Sequence, residues 1–189
     1  GQNTAVTAEV TGLSYSQEAG FDFHSFTGKT EGSLKAGSFL ELKNVDLAVT
    51  KEGTDYETTL SSGIDVNLAG SSLTSERAEF LYGTEGIKNG EIKEAKLSVY
   101  NNMLSGRAGD IQYSAEEESF KGTEVSLGLQ AGGQSISISA SSFAYDKEGF
   151  SVKEIGGQIS LTLGGRKTAL SLEQGDFEKG RISIGKATG

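Results

Sequence analysis

Few residues in this chain are of a type that does chemistry, and their spacing sets limits on what they can do. His24 is the single histidine among 189 residues and sits in the aromatic run Phe21–Phe26. A catalytic base needs a nucleophile and an orienting group beside it, and no such constellation accompanies His24, which is read as a surface or edge residue. The acidic run Glu116, Glu117 and Glu118 and the glutamates that recur in turns offer oxygen ligands for a cation. They match neither the EF-hand nor the calcium nonapeptide spacing. Solvated turn charges that discourage edge pairing explain them better. Tyr15, Tyr82, Tyr113 and Tyr145 recur at even spacing and are the right type for a sugar-stacking ladder. Packing inside a core is the expected reading, because the same position becomes Val49 and Phe177 elsewhere, where no phenol is present.

Other chemistries are excluded by composition. The chain has no cysteine, which removes disulfides, thiolate metal sites and thiol nucleophiles together. Neither a phosphate-binding Gly-x-x-x-x-Gly-Lys-Ser/Thr loop nor a Gly-x-Ser-x-Gly elbow occurs. We therefore expect no catalytic, cofactor-binding or metal-binding residues, no cofactor and no enzyme activity. A formal charge of −9, from 26 acidic and 17 basic residues, argues against nucleic-acid or anionic-membrane partners, both of which need a dense basic patch. No stretch approaches the roughly 20 apolar residues of a membrane-spanning helix.

What organises the chain is a repeat. The stretch Phe143-Ala-Tyr145-Asp-Lys-Glu-Gly-Phe150 recurs as Leu13 to Phe21, Leu47 to Thr54, Phe80 to Ile87, Ile111 to Phe120 and, shortened, Phe177 to Ile182. The anchors Tyr15, Val49, Tyr82, Tyr113, Tyr145 and Phe177 are 34, 33, 31, 32 and 32 residues apart. A fixed period of this size signals units that cannot bury their own apolar faces and stack on neighbours, so residues 1–189 read as one array.

Inside each unit the period is two. Segments such as Val125 to Leu129, Ile136 to Ala140, Ile159 to Leu163, Ala169 to Leu172 and Ile182 to Ile184 alternate apolar with small polar residues, the signature of strands with one buried face. Glycine, 27 residues, is about twice its usual share and proline is absent, which suits tight turns within a sheet. One set of turns is expected at Lys51–Gly53, Thr84–Gly86, Lys147–Gly149 and Glu178–Gly180, and the opposite set at Ala36–Gly37, Ala69–Gly70, Asn101–Asn102, Ala131–Gly133 and Gly164–Gly165. Two turns per unit give an all-β, up-and-down antiparallel meander of about eleven long strands. Small residues at mid-strand are Gly63, Gly90, Gly106, Gly109, Gly122, Ser141, Ser142, Gly156, Gly157 and Gly175. They predict a shared bend that folds the meander into a clam-like or solenoid-like two-layer sheet, with Phe143, Phe150, Ile159, Leu161 and Leu163 inside, in preference to the alternative of an unbent, strongly twisted single sheet that would leave this apolar face open to water.

Units such as Phe143 to Val152 followed by Ile159 to Gly165 resemble the Gly/Ser-rich β-repeat regions of very large bacterial exported proteins associated with extracellular contractile injection systems. That resemblance covers the whole chain. It implies a structural spacer or scaffold segment, extracellular or at the cell surface. Its partners would be neighbouring repeats of the same chain and other protein components of a secretion or injection system. The spacing is also similar to the β-groove of AsmA-like and TamB-like lipid-transfer proteins, which implies a module holding an apolar ligand such as lipid. The start at Gly1, read as an added remnant, and the end partway into a repeat lead us to expect a piece of a longer protein.

Overall fold

The computed structural model describes residues 4–163, 165–178 and 180–189, with the side chain of Leu163 excepted. The readings made on Gly1, on Gly164 and Lys179 as turn residues, and on the inward side chain of Leu163 lie outside the described residues. All regular structure is β. The strands are β1 (Ala5–Thr11), β2 (Ser14–Ser16), β3 (Gly20–Asp22), β4 (Ser25–Glu31), β5 (Ser33–Ala36), β6 (Leu40–Glu52), β7 (Asp55–Leu68) and β8 (Ser71–Gly83). They continue with β9 (Gly86–Val99), β10 (Leu104–Ser114), β11 (Ser119–Ala131), β12 (Gln134–Asp146), β13 (Gly149–Leu163), β14 (Arg166–Glu178) and β15 (Arg181–Thr188).

Thirteen of these strands form one antiparallel sheet in the order β1-β4-β6-β7-β8-β9-β10-β11-β12-β13-β14-β15, with β5 beside β6; β2 and β3 form a separate pair. From β6 onward every strand pairs with its neighbours in sequence, so the meander is as expected. The extra short strands come from the first repeat. Gly12 takes φ +66° against His24, and Gly32 takes φ +100° opposite Asn44. These kinks divide what would be two long strands into β1 with β2, and β3 with β4 and β5.

Both sets of turns sit where the glycines and asparagines place them. Gly53, Gly86, Gly149 and Gly180 all have positive φ, as do Gly37, Ala69, Gly70, Asn101, Asn102, Gly132, Gly133 and Gly165 on the opposite side. The register explains why the repeat has the motif it has: each anchor is the cross-strand partner of the apolar residue that closes its motif. Tyr15 pairs with Phe21, Tyr82 with Ile87, Tyr113 with Phe120, Tyr145 with Phe150 and Phe177 with Ile182. Val49 is the exception, pairing with Thr58.

A line of irregularities crosses the long strands at mid-length. Asn44, Glu94, Glu124, Glu154 and Gln174 adopt φ between 50° and 57° inside strands, a left-handed conformation that disfavours residues with a Cβ. In β10 the apolar residues are even-numbered before this line (Leu104, Gly106, Ala108) and odd-numbered after it (Ile111, Tyr113). One inserted residue per strand resets the alternation, so the apolar side chains stay on one face of the sheet. Only β7 keeps its parity, and its registers with β6 and β8 shift accordingly. Side chains take up backbone groups that the bulges release: Asn44 Oδ1 accepts from Gly32 N–H at 3.1 Å. Ser75 Oγ donates to Lys93 O at 2.7 Å, and Asp176 Oδ1 accepts from Glu154 N–H at 2.8 Å.

Gly63, Gly109 and Ser141 lie on or beside this crease and Gly175 adjoins it. The other small residues have a different task. Gly90 and Gly122 make room for rings on the neighbouring strand: a Cβ on Gly90 would lie 2.7 Å from Phe80, and one on Gly122 would overlap the ring of Phe143.

The long strands form one antiparallel sheet that is not closed into a barrel, and the enclosed core expected between two layers is not found among the described residues. Among the described residues the buried apolar ones are the alanines Ala78, Ala95 and Ala108 at the crease, and no large side chain is fully buried. Leu127, Ile138 and Tyr145 remain 50%, 45% and 57% exposed. Ile159 is exposed and Leu161 half-buried, rather than enclosed.

Candidate functional site: a creased apolar face

The open face is sorted by residue type into two bands. On the side of the anchor turns it is aromatic, with Phe80 near Tyr82 at 6.3 Å, Phe120 near Phe143 at 5.8 Å and Phe150 near Phe177 at 5.9 Å between ring centroids. Beyond the crease it is aliphatic, and its members face one another across the ladder: Leu104 with Leu129, Leu127 with Ile138, Leu129 with Ile136 and Ile159 with Leu170. Between the bands the floor is small residues, including Ser62 paired with Ala78 and Ala95 paired with Ala108. At one end, across β12 to β15, this face forms a concavity of ≈ 380 Å³. Ile138, Ile155, Ile159, Leu170, Leu172 and Ala187 line it.

The reverse face is polar. A shallow hollow of ≈ 500 Å³ there is lined by Ser105, Ser126, Ser137, Ser139, Gln158 and Ser171 among others. Cross-strand ion pairs stud the same face, including Lys29 with Asp46 at 3.0 Å, Arg107 with Glu94 at 2.9 Å and Lys43 with Asp65 at 3.5 Å. Each exposed pair contributes little, typically about 0.2–1 kcal/mol. Their value is to mark the side that stays in water.

The tightest polar cluster holds the β2–β3 hairpin to the β6–β7 turn. Asp22 Oδ2 accepts from Lys51 Nζ at 2.5 Å, and Asp22 Oδ1 accepts from Tyr56 O–H at 2.7 Å. Lys51 foremost, then Tyr56, hold the Asp22 carboxyl at about 2, well below the ordinary carboxylate range. The same contacts raise Lys51 and Tyr56. Phe23 stacks on Tyr56 at 5.2 Å. This is a tether in form: Phe23 N–H also donates to Oδ1 at 2.9 Å, so the carboxylate is held by three donors from within the chain.

The residues singled out for chemistry fall apart in space. His24 is exposed and enters the structure through its backbone, donating to Thr11 O and accepting from Lys51 N–H. Glu117 accepts from Lys121 at 3.0 Å and from Ser119 at 3.1 Å, and those two hydrogen bonds, Lys121 first, lower its pKa. Glu118 pairs with Lys147 at 3.4 Å. No group of three or more metal-ligating side chains occurs among the described residues. The tyrosines are not core residues: Tyr15, Tyr113 and Tyr145 are exposed and Tyr82 is half-buried, all within hairpins. Among the described residues no helix is long and apolar enough to cross a membrane. Comparison with protein-family models, with curated proteins and with solved structures returns no match.

Proposed function

We propose that this chain is a repeat segment that holds an apolar ligand, such as a lipid chain, along its creased face. The observation that carries the reading is the continuous apolar face itself. Aromatic and aliphatic side chains run in register from strand to strand, keep about half their surface accessible and meet no second layer. A face of this extent costs solvation free energy when bare, which is the usual mark of an interaction surface. Neighbouring strands are ~4.8 Å apart, so the crease offers a long, narrow path at right angles to them, suited to an extended hydrocarbon. The cross-strand ion pairs Lys29–Asp46, Arg107–Glu94 and Lys43–Asp65 lie on the reverse face, where they add nothing to selectivity for a headgroup.

A second reading follows from the regularity of the hairpins: a rigid spacer in a large bacterial exported protein, whose task is length. One experiment separates the two. Purified protein is extracted with organic solvent and analysed by mass spectrometry, and its melting temperature is followed while fatty acid is added. Stoichiometric co-purified lipid, or a melting temperature that rises with ligand by mass action, supports the trough. Neither lipid nor shift leaves the spacer.

A further inference from the structure

The two rows of turns differ in charge, and the difference marks one of them as a contact surface. On the anchor side the turns carry Glu52, Glu85, Glu116, Glu117 and Glu118. On the opposite side residues 66–75, around the β7–β8 turn, and residues 97–106, around the β9–β10 turn, include no charged side chain. The same row is apolar at its tips. Tyr100 is 71% exposed, Leu68 57%, and Phe39 and Met103 48% each, and exposed apolar groups gathered in one place mark an interaction surface. We infer that this uncharged rim docks on the headgroup region of a zwitterionic phospholipid bilayer. The inference concerns the turns and stands whether or not the creased face holds a ligand.

Three features of the rim favour a bilayer over a protein partner. Adjacent turns are bonded to one another: Asn67 N–H donates to Phe39 O, Asn101 N–H to Gly70 O and Gln130 N–H to Met103 O, each at 2.8 Å. These backbone groups are thereby satisfied before the rim meets a less hydrated medium, where an unpaired one is costly. The tips follow one another every second strand, about 10 Å apart. Such a line of single side chains is far narrower than the ~800 Å² patch that each partner gives a stable protein interface, whereas lipid headgroups close around isolated tips. Tyr100 combines an apolar ring with a phenol, the type that settles where hydrocarbon meets water. Charge sets the kind of lipid. The charges adjoining this rim are Lys35, paired with Glu41 at 3.7 Å, and Arg166 and Lys167 at the start of β14, too few for the basic patch that an anionic surface selects. Strands of 14 and 13 residues, β7 and β8, hold the acidic rim beyond the ~8 Å reach of charges at physiological salt, so it stays in water and leaves docking unaffected.

The chain has no tryptophan, so single-tryptophan variants report position cleanly. Tyr100→Trp is expected to shift its emission to the blue when phosphatidylcholine vesicles are added. Thr84→Trp, in a turn of the anchor rim, is expected to keep the emission of a hydrated indole. In a flotation gradient the native chain is expected to rise with the same vesicles, at high salt as at low. Phe39→Glu with Tyr100→Glu is expected to bind about tenfold more weakly or worse. That variant's melting shift with fatty acid should match the native chain's, which keeps a failure of the rim apart from a failure of the creased face. Should the double variant misfold, the two tryptophan reporters decide. A native chain that does not float, binding confined to anionic vesicles, or a blue shift in Thr84→Trp and not in Tyr100→Trp overturns the inference. So does a blue shift of Tyr100→Trp on raising protein concentration without vesicles, which assigns the rim to a second copy of the chain.

Discussion

The ring of Phe143 lies directly over Gly122 on the adjacent strand, so closely that a Cβ on Gly122 would overlap Cε1 of the ring. Glycine weakens a strand by itself, and here the neighbouring aromatic covers the exposed backbone. Gly122→Ala is therefore expected to destabilise the sheet by about 1–3 kcal/mol through overpacking, although alanine is the better strand former. Phe143→Leu in the same chain should recover most of that loss, measured by denaturant unfolding. Additive effects of the two substitutions would show that the ring and the glycine are independent.

The crease carries strain that can be relieved. Glu124 has φ +51° with no ion pair among the described residues to hold it there, whereas the corresponding position in β6 is Asn44 at φ +50°. Asparagine tolerates the left-handed region far better than glutamate. Glu124→Asn should raise stability by about 0.5–1 kcal/mol, and a lower melting temperature would mean that the glutamate side chain contributes a contact of its own.

The anchor turns depend on glycine in the opposite sense. Gly149 has φ +121° with open space around its Cβ position, so bulk is not the obstacle and backbone conformation is. Gly149→Val is expected to cost about 1–3 kcal/mol. An unchanged melting temperature would show that the hairpin has moved to a turn with negative φ.

The tether at Asp22 predicts a pH dependence of known sign. Its carboxyl is lowered from 3.8 to about 2 in the folded chain. The folded state thus binds this proton less readily than the unfolded one, and the stabilisation is present above pH 4 and lost as pH falls from about 4 to 2. Asp22→Asn should melt lower than the native chain at neutral pH, with the gap narrowing through that acidic window. The raised Lys51 and Tyr56 act in the other direction, their stabilisation fading only as the solution becomes alkaline.

Much of the architecture was legible because it rests on local rules. The anchors, the positive-φ turn residues and the alternation specify hairpins, and hairpins in sequence order specify the meander. Val49 broke the pattern of anchor pairing for a reason visible in the register: Lys51 meets Tyr56 across that hairpin, and its tether replaces an aromatic pair. The position of the crease was only half legible. Gly63 and Gly109 pointed to it, while Glu94, Glu124 and Glu154 concealed it, because nothing in a glutamate announces a left-handed backbone. What did betray the crease is the switch of apolar parity within every long strand but β7, as between Ala108 and Ile111. Closure over a core was not legible at all. Whether two halves of a bent sheet meet depends on the angle at each bulge, which no residue type encodes by itself.

The strictly sequential pairing of the long strands has a mechanical consequence. With each strand from β7 onward bonded only to its neighbours in the chain and, among the described residues, no core tying distant strands together, a pull applied at the two termini meets one ladder at a time there. The sheet unravels from an edge like knitting, each step freeing one strand, and a strand of 13 residues such as β12 pays out about 45 Å of chain. The molecule is an extensible tape under load, not a brittle body that yields all at once.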